Sequence, residues 1–146
     1  MWHMSSMYDD GLQKTPTGKT EVDMLKILIV DDDPEIRGLI SKLIKMKGAF
    51  EIAEASSVKE ADSLCTRIKF DLIFLDHNVA DGNAWVLAEM IFLNPDKYGK
   101  PKIIAMSGSV LPENANRSHK NFSQFIAKPF NISSIYTIIE QVSQKH

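Results

Sequence analysis

The stretch Ile27-Leu28-Ile29-Val30-Asp31-Asp32-Asp33-Pro34-Glu35 decides the fold. Four apolar residues in a row, three of them β-branched, suit a strand covered on both faces, the habit of parallel sheets rather than of half-exposed antiparallel ones. The strand runs directly into a helix start. Asp33 stands as N-cap, Pro34 takes the first helical position, and Glu35 places an acid in the first turn. Ile36, Leu39, Ile40, Leu43 and Ile44 then recur at helical spacing, and Gly48 supplies the stop. Capping uses only Asp33, so Asp31 and Asp32 need another explanation.

The same alternation continues along the chain. Phe50 to Ala53 predicts a second strand, and Ser57 caps a second helix with Ala61, Leu64, Cys65 and Ile68 inward. Phe70 to Leu75 predicts a third strand that runs into Asp76. Asp81-Gly82-Asn83 reads as a turn, followed by an apolar helix over Ala84–Leu93 that Asn94-Pro95 closes. Lys102 to Met106 predicts a fourth strand ahead of Ser107-Gly108. Leu111 to Asn121 is helix-compatible but polar, which predicts a short or loosely held helix. Phe125 to Ala127 predicts a fifth strand, and Ile132, Ile135, Tyr136, Ile139 and Val142 give the last helix one apolar face. Five strand–helix units imply an α/β fold: a five-stranded parallel sheet, doubly wound as (βα)5 by right-handed crossovers.

The domain so defined covers residues 24–146. Residues 1–23 are polar and without apolar periodicity, and read as a flexible N-terminal tail whose opening Met-Trp-His-Met resembles an expression remnant. Thr17-Gly18-Lys19-Thr20 echoes the end of a phosphate-binding loop, but Gln13 stands where that loop needs glycine. With 17 basic and 19 acidic residues the formal charge is −2, so no broad basic field draws the chain to nucleic acid or an anionic membrane. The single cysteine, Cys65, excludes an internal disulfide and suits a reducing cytoplasm. No apolar run is long enough to span a bilayer.

In open parallel sheets, ligands bind beyond the carboxyl ends of the strands. Asp31-Asp32-Asp33, Asp76, Ser107 and Lys128 all stand at such ends, and would converge on one rim. Crowded carboxylates repel one another unless a cation intervenes, and hard oxygen donors suit Mg²⁺ or Mn²⁺. Lysine and hydroxyl donors opposite them complete what phosphoryl transfer needs: a positioned nucleophile, positive charge on the equatorial oxygens, and a neutral donor. A carboxylate nucleophile would form an aspartyl phosphate.

Leu28-Ile29-Val30-Asp31-Asp32-Asp33, Leu75-Asp76, Ile104-Ala105-Met106-Ser107-Gly108 and Lys128-Pro129-Phe130 together resemble the ordered signature of the receiver domains of two-component systems. The resemblance covers roughly Leu25 to Lys145 and implies the flavodoxin-like strand order 2-1-3-4-5. It also implies Asp76 as phosphoacceptor, Asp32 as direct metal ligand, Asp31 as its water-mediated helper, and the Asn78 carbonyl as a further ligand. Lys128 takes the place of the family's lysine, with a cis peptide to Pro129. Ser107 takes the switch hydroxyl position and Phe125 the switch aromatic position. The implied partners are a histidine kinase or histidine phosphotransfer protein, with an output partner on the face made by the fourth helix, fifth strand and last helix.

The chain would then be a cytoplasmic signalling phosphoacceptor rather than an enzyme, with self-catalysed phosphotransfer and dephosphorylation only. Ala80 stands where the family often has proline, which predicts a looser loop after Asp76, and Gly108 stands where alanine is more usual. His77 reads as a loop residue near the site. Two other readings compete. A small haloacid-dehalogenase-like phosphatase would use Asp31 as nucleophile and Asp33 as acid, but needs acidic ligands after Lys128 that are not visible. A phosphorylation-independent scaffold would keep the fold with a degenerate pocket. A stand-alone receiver and a piece of a larger regulator or hybrid kinase fit the sequence equally.

Overall fold

The computed structural model describes residues 24–79, 81–108 and 121–145. The tail at residues 1–23 and most of the polar segment expected to form the fourth helix lie outside them. The main sheet has five parallel strands: β1 (Lys26–Val30), β2 (Glu51–Ala55), β3 (Leu72–Asp76), β6 (Lys102–Ser107) and β7 (Gln124–Ala127). Their order is β2-β1-β3-β6-β7. Two short strands, β4 (Asn78–Val79) and β5 (Gly82–Asn83), form a small antiparallel hairpin after β3. With that hairpin set aside, the order is the 2-1-3-4-5 that the resemblance implies.

Alternate residues of the central strands feed two separate cores. Leu28, Val30, Ile73, Leu75, Ile103 and Ala105 face α2 (Val58–Arg67) and α3 (Ala84–Leu93). Ile27, Ile29, Leu72, Phe74, Ile104 and Met106 face α1 (Pro34–Lys47) and α5 (Ile132–Lys145). This is why those strands read as unbroken apolar runs: each face of the sheet buries every second side chain. At about 25 cal/mol per Å² of apolar surface removed from water, both layers contribute heavily to stability.

The helix starts follow their caps. The Asp33 carboxylate accepts the Glu35 N–H at 2.9 Å, and Ser57 Oγ accepts the Glu60 N–H at 3.0 Å. Differences from the sequence reading concern faces and edges. Leu39 is 46% exposed on α1 and Ile132 53% on α5, although both were expected inward; on α5, Ile138 is buried as well as Ile135 and Ile139. The third helix does not simply stop at Asn94-Pro95, because Pro95–Tyr98 forms one further turn, α4. Tyr98 on that turn is buried and donates to Asp62 Oδ1 at 2.8 Å, tying it to α2. No helix among the described residues is long and apolar enough to cross a membrane.

Candidate functional site at the carboxyl rim

Register brings the rim together. Val30 pairs with Leu75, so Asp31 and Asp76 each follow directly after neighbouring residues of adjacent strands. Asp76 pairs with Met106, which puts Ser107 next along β6; Ser107 pairs with Ala127, which puts Lys128 next along β7. Parallel pairing therefore converts sequence positions far apart into one row of side chains.

Asp31, Asp32 and Asp76 each offer a carboxylate oxygen, and these lie within 4.8 Å of one another. Asp31 and Asp76 are buried, while Asp32 is exposed. Lys128 reaches into this group: Nζ lies 2.6 Å from Asp31 Oδ2 and 3.4 Å from Asp76 Oδ1. Burial works against the charged ammonium, but the hydrogen bond to Asp31 and the charges of Asp76 and Asp31 outweigh it. The Lys128 pKa is thereby held above the ordinary lysine value. One ammonium among three carboxylates leaves negative charge in excess. The donor set, all hard oxygens with one ligand open to water, fits a divalent cation with partial hydration.

The backbone beneath these acids is held by groups that sequence reading did not single out. The Asp31 amide donates to Ala55 O at 3.1 Å, and Asp31 Oδ1 accepts the Asp33 N–H at 2.9 Å. Arg37 Nη1 donates to the Asp31 carbonyl at 2.7 Å, while its Nε donates to Glu54 Oε1 at 3.1 Å. Arg37 thus holds the Asp31 carbonyl, and with it the peptide that leads into the exposed Asp32. No local pattern marks this role, because Glu54 comes from the next strand.

Ser107 is buried at the end of β6, and its carbonyl accepts the Lys128 N–H at 2.7 Å. The Lys128–Pro129 peptide is cis, as the resemblance implies. Asn78 lies on the hairpin strand directly after His77, whose N–H donates to Met106 O at 2.8 Å and so prolongs β3. Ala80, on which the expectation of a looser loop rested, lies outside the described residues; on either side of it Asn78 pairs with Asn83 and Val79 with Gly82.

Phe125 is partly buried within a chain of rings. Trp85 lies 6.0 Å from Phe125, 4.6 Å from Phe122 and 5.0 Å from His77, centroid to centroid. Trp85 Nε1 donates to His77 Nε2 at 3.4 Å, and burial pushes the His77 pKa down, which favours the neutral ring. His77, read from sequence as a loop residue near the site, contacts Trp85, which in turn packs on Phe125. The alternative nucleophile and acid, Asp31 and Asp33, are both committed to structure: Asp31 to Lys128, and Asp33 to capping α1.

A family model described as the response regulator receiver domain matches residues 27–140. A probable transcriptional regulator, ycf29, of Cyanophora paradoxa is 29% identical over 123 residues, covering 84% of this chain and 58% of that protein. The transcriptional regulatory protein LytR of Staphylococcus aureus is 31% identical over 119 residues, covering 81% of this chain and 47% of its own length. The chain therefore spans about half the length of the curated relatives it matches. Among solved structures, a CheY-like receiver domain protein from Methanospirillum hungatei is similar with a TM-score of 0.73 and 26% identity, covering 84% of this chain and 96% of that one. The signal receiver domain of a DNA-binding response regulator (merR) from Colwellia psychrerythraea superposes with a TM-score of 0.75 at 22% identity, covering 82% and 98%.

Proposed function

Because the chain belongs to the response regulator receiver family of two-component systems, we propose that it accepts a phosphoryl group on Asp76 from a phosphohistidine donor. The observation that carries this reading is the meeting of Asp31, Asp32, Asp76 and Lys128 at one rim. An oxygen of Asp76 attacks phosphorus, an aspartyl P–O bond forms, and the P–N bond to the donor imidazole breaks. Lys128, already 3.4 Å from Asp76, meets a phosphoryl oxygen. Ser107 donates a hydrogen bond to another.

Asp31, Asp32 and Asp76, with the Asn78 carbonyl, would hold Mg²⁺ or Mn²⁺. Such a cation supplies charge neutralisation for the transferring oxygens. The domain is a signalling phosphoacceptor in this reading, not a turnover enzyme, and works in the cytoplasm with a histidine kinase or phosphotransfer protein. Movement of Ser107 toward the phosphoryl group would draw Phe125 inward. Phe125 packs on Trp85 and Phe122, so that change repacks three rings together. An output partner would read the result on the face of β7 and α5.

Incubation with acetyl phosphate and Mg²⁺, followed by intact-mass measurement, tests the site. One added phosphoryl mass in the wild type and none in Asp76→Asn is the expected result. An undiminished adduct in Asp76→Asn would sink the assignment.

A further inference from the structure

The loop leaving the acceptor strand is anchored away from the carboxylates. Val79 is buried in the core shared with α2 and α3, and Asp81 lies at the turn of the hairpin. Its carboxylate reaches the start of α2: Oδ1 accepts the Val58 N–H at 2.8 Å and Oδ2 the Lys59 N–H at 3.2 Å. Ser57 Oγ accepts the next amide, that of Glu60. The first three amides of α2 are thus all satisfied, two of them by a residue from another loop. Unpaired N–H groups and the positive end of the helix dipole both favour a carboxylate there. The hairpin also lies against the first residue of α2, since Gly82 sits beside the Val58 side chain.

The same hairpin carries Asn78, two residues past Asp76. Any change in its height relative to α2 alters the distance between the Asn78 carbonyl and the three carboxylates. We propose that Asp81 is a positioning residue of the cation site: by capping α2 from the hairpin, it holds the loop that carries Asn78 and couples cation binding to the start of α2. This rests on the reading of Asp31, Asp32, Asp76 and Asn78 as the cation's ligands. Coupling is reciprocal, so whatever Asp81 adds to cation affinity, the cation returns to the Asp81–α2 contact.

The experiment compares the full chain with Asp81→Ala, Asp81→Asn and Ser57→Ala. Mg²⁺ binding is measured by calorimetry, and the Val58 and Lys59 amide resonances are followed through the same titration. In the wild type, both resonances should move with the calorimetric midpoint. Asp81→Ala should bind Mg²⁺ about fivefold more weakly, and those amides should no longer respond. Asp81→Asn keeps an oxygen for one amide and should fall between. Ser57→Ala removes only the acceptor of the Glu60 amide and leaves both Asp81 contacts in place, so its loss of Mg²⁺ affinity should be smaller than that of Asp81→Ala. Wild-type affinity in Asp81→Ala, or an equal loss in Ser57→Ala, overturns the proposal, because Asp81 is then only a helix cap. If Asp76→Asn leaves Mg²⁺ affinity unchanged, the carboxylate site itself is misassigned and the proposal falls with it.

Discussion

Replacing Lys128 with Met keeps most of the stem's packing and removes the ammonium that faces Asp31 and Asp76. The two contacts, 2.6 and 3.4 Å, join a lysine with 18% side-chain exposure to carboxylates at 1% and 6%. Breaking a buried pair costs about 3–5 kcal/mol, mostly through the charge left uncompensated. The partial exposure of Lys128 argues for the lower end, about 3 kcal/mol. At about 3 °C per kcal/mol for a domain of this size, the melting temperature should fall roughly 10 °C in EDTA.

Mg²⁺ should reverse much of that loss. The ammonium and a bound Mg²⁺ compete for the same oxygens, and a single and a double positive charge about 5 Å apart repel by roughly 7 kcal/mol at an effective dielectric of 20. Screening at a partly open rim reduces this figure, yet a tenfold gain in Mg²⁺ affinity needs only about 1.4 kcal/mol. Thermal melts with EDTA and with graded Mg²⁺ should therefore show a larger metal-induced rise in the variant than in the wild type. Phosphoryl acceptance should nevertheless fall, because the variant lacks the group that meets the phosphoryl oxygen. A variant as stable as wild type in EDTA, or one that binds Mg²⁺ no more tightly, would refute the electrostatic account of the rim.

Arg37→Ala should weaken Mg²⁺ binding several-fold in calorimetry, since the Asp31–Asp32 peptide loses its 2.7 Å clamp; unaltered binding would remove Arg37 from the site's support. Tyr98→Phe loses the hydrogen bond to Asp62 and should cost about 1 kcal/mol in urea unfolding. Cys65 is buried and its thiol is pushed up to about 12, first by burial and then by Asp62, so Ellman's reagent should label it only as fast as the protein opens. Glu60 accepts hydrogen bonds from the Ser56 amide and hydroxyl, which hold its pKa below the ordinary 4.5. Its stabilising effect is therefore fully present above that value and is lost as pH falls through the lower folded value. The stability gap between wild type and Glu60→Gln should be constant near neutrality and close in acid titrations below pH 4.5.

Local pattern was enough for the strand–helix alternation and for both caps that lie within a few residues of their helices. It also sufficed for the rim, because an apolar run ending in an acid, a hydroxyl or a lysine locates each side chain at a strand's carboxyl end. Helix faces were less legible. Leu39 and Ile132 fit the helical period, but α1 and α5 pack on each other and on one sheet face, and that packing leaves both outside. The hairpin of Asn78–Val79 with Gly82–Asn83 was read only as a turn, since two-residue strands carry no periodicity.

The acids at Asp31, Asp32 and Asp76 were thus determined by the sequence alone, as residue types at strand ends. Which groups hold them in place was decided only by tertiary structure. Arg37 meets Glu54 from the neighbouring strand, Asp81 meets amides at the start of α2, and His77 meets Trp85 one helical element later. Such partners lie 8 to 23 residues apart and share no repeat. They meet because parallel crossovers return each strand to the same rim, and chain folding, not local propensity, chooses who is adjacent there.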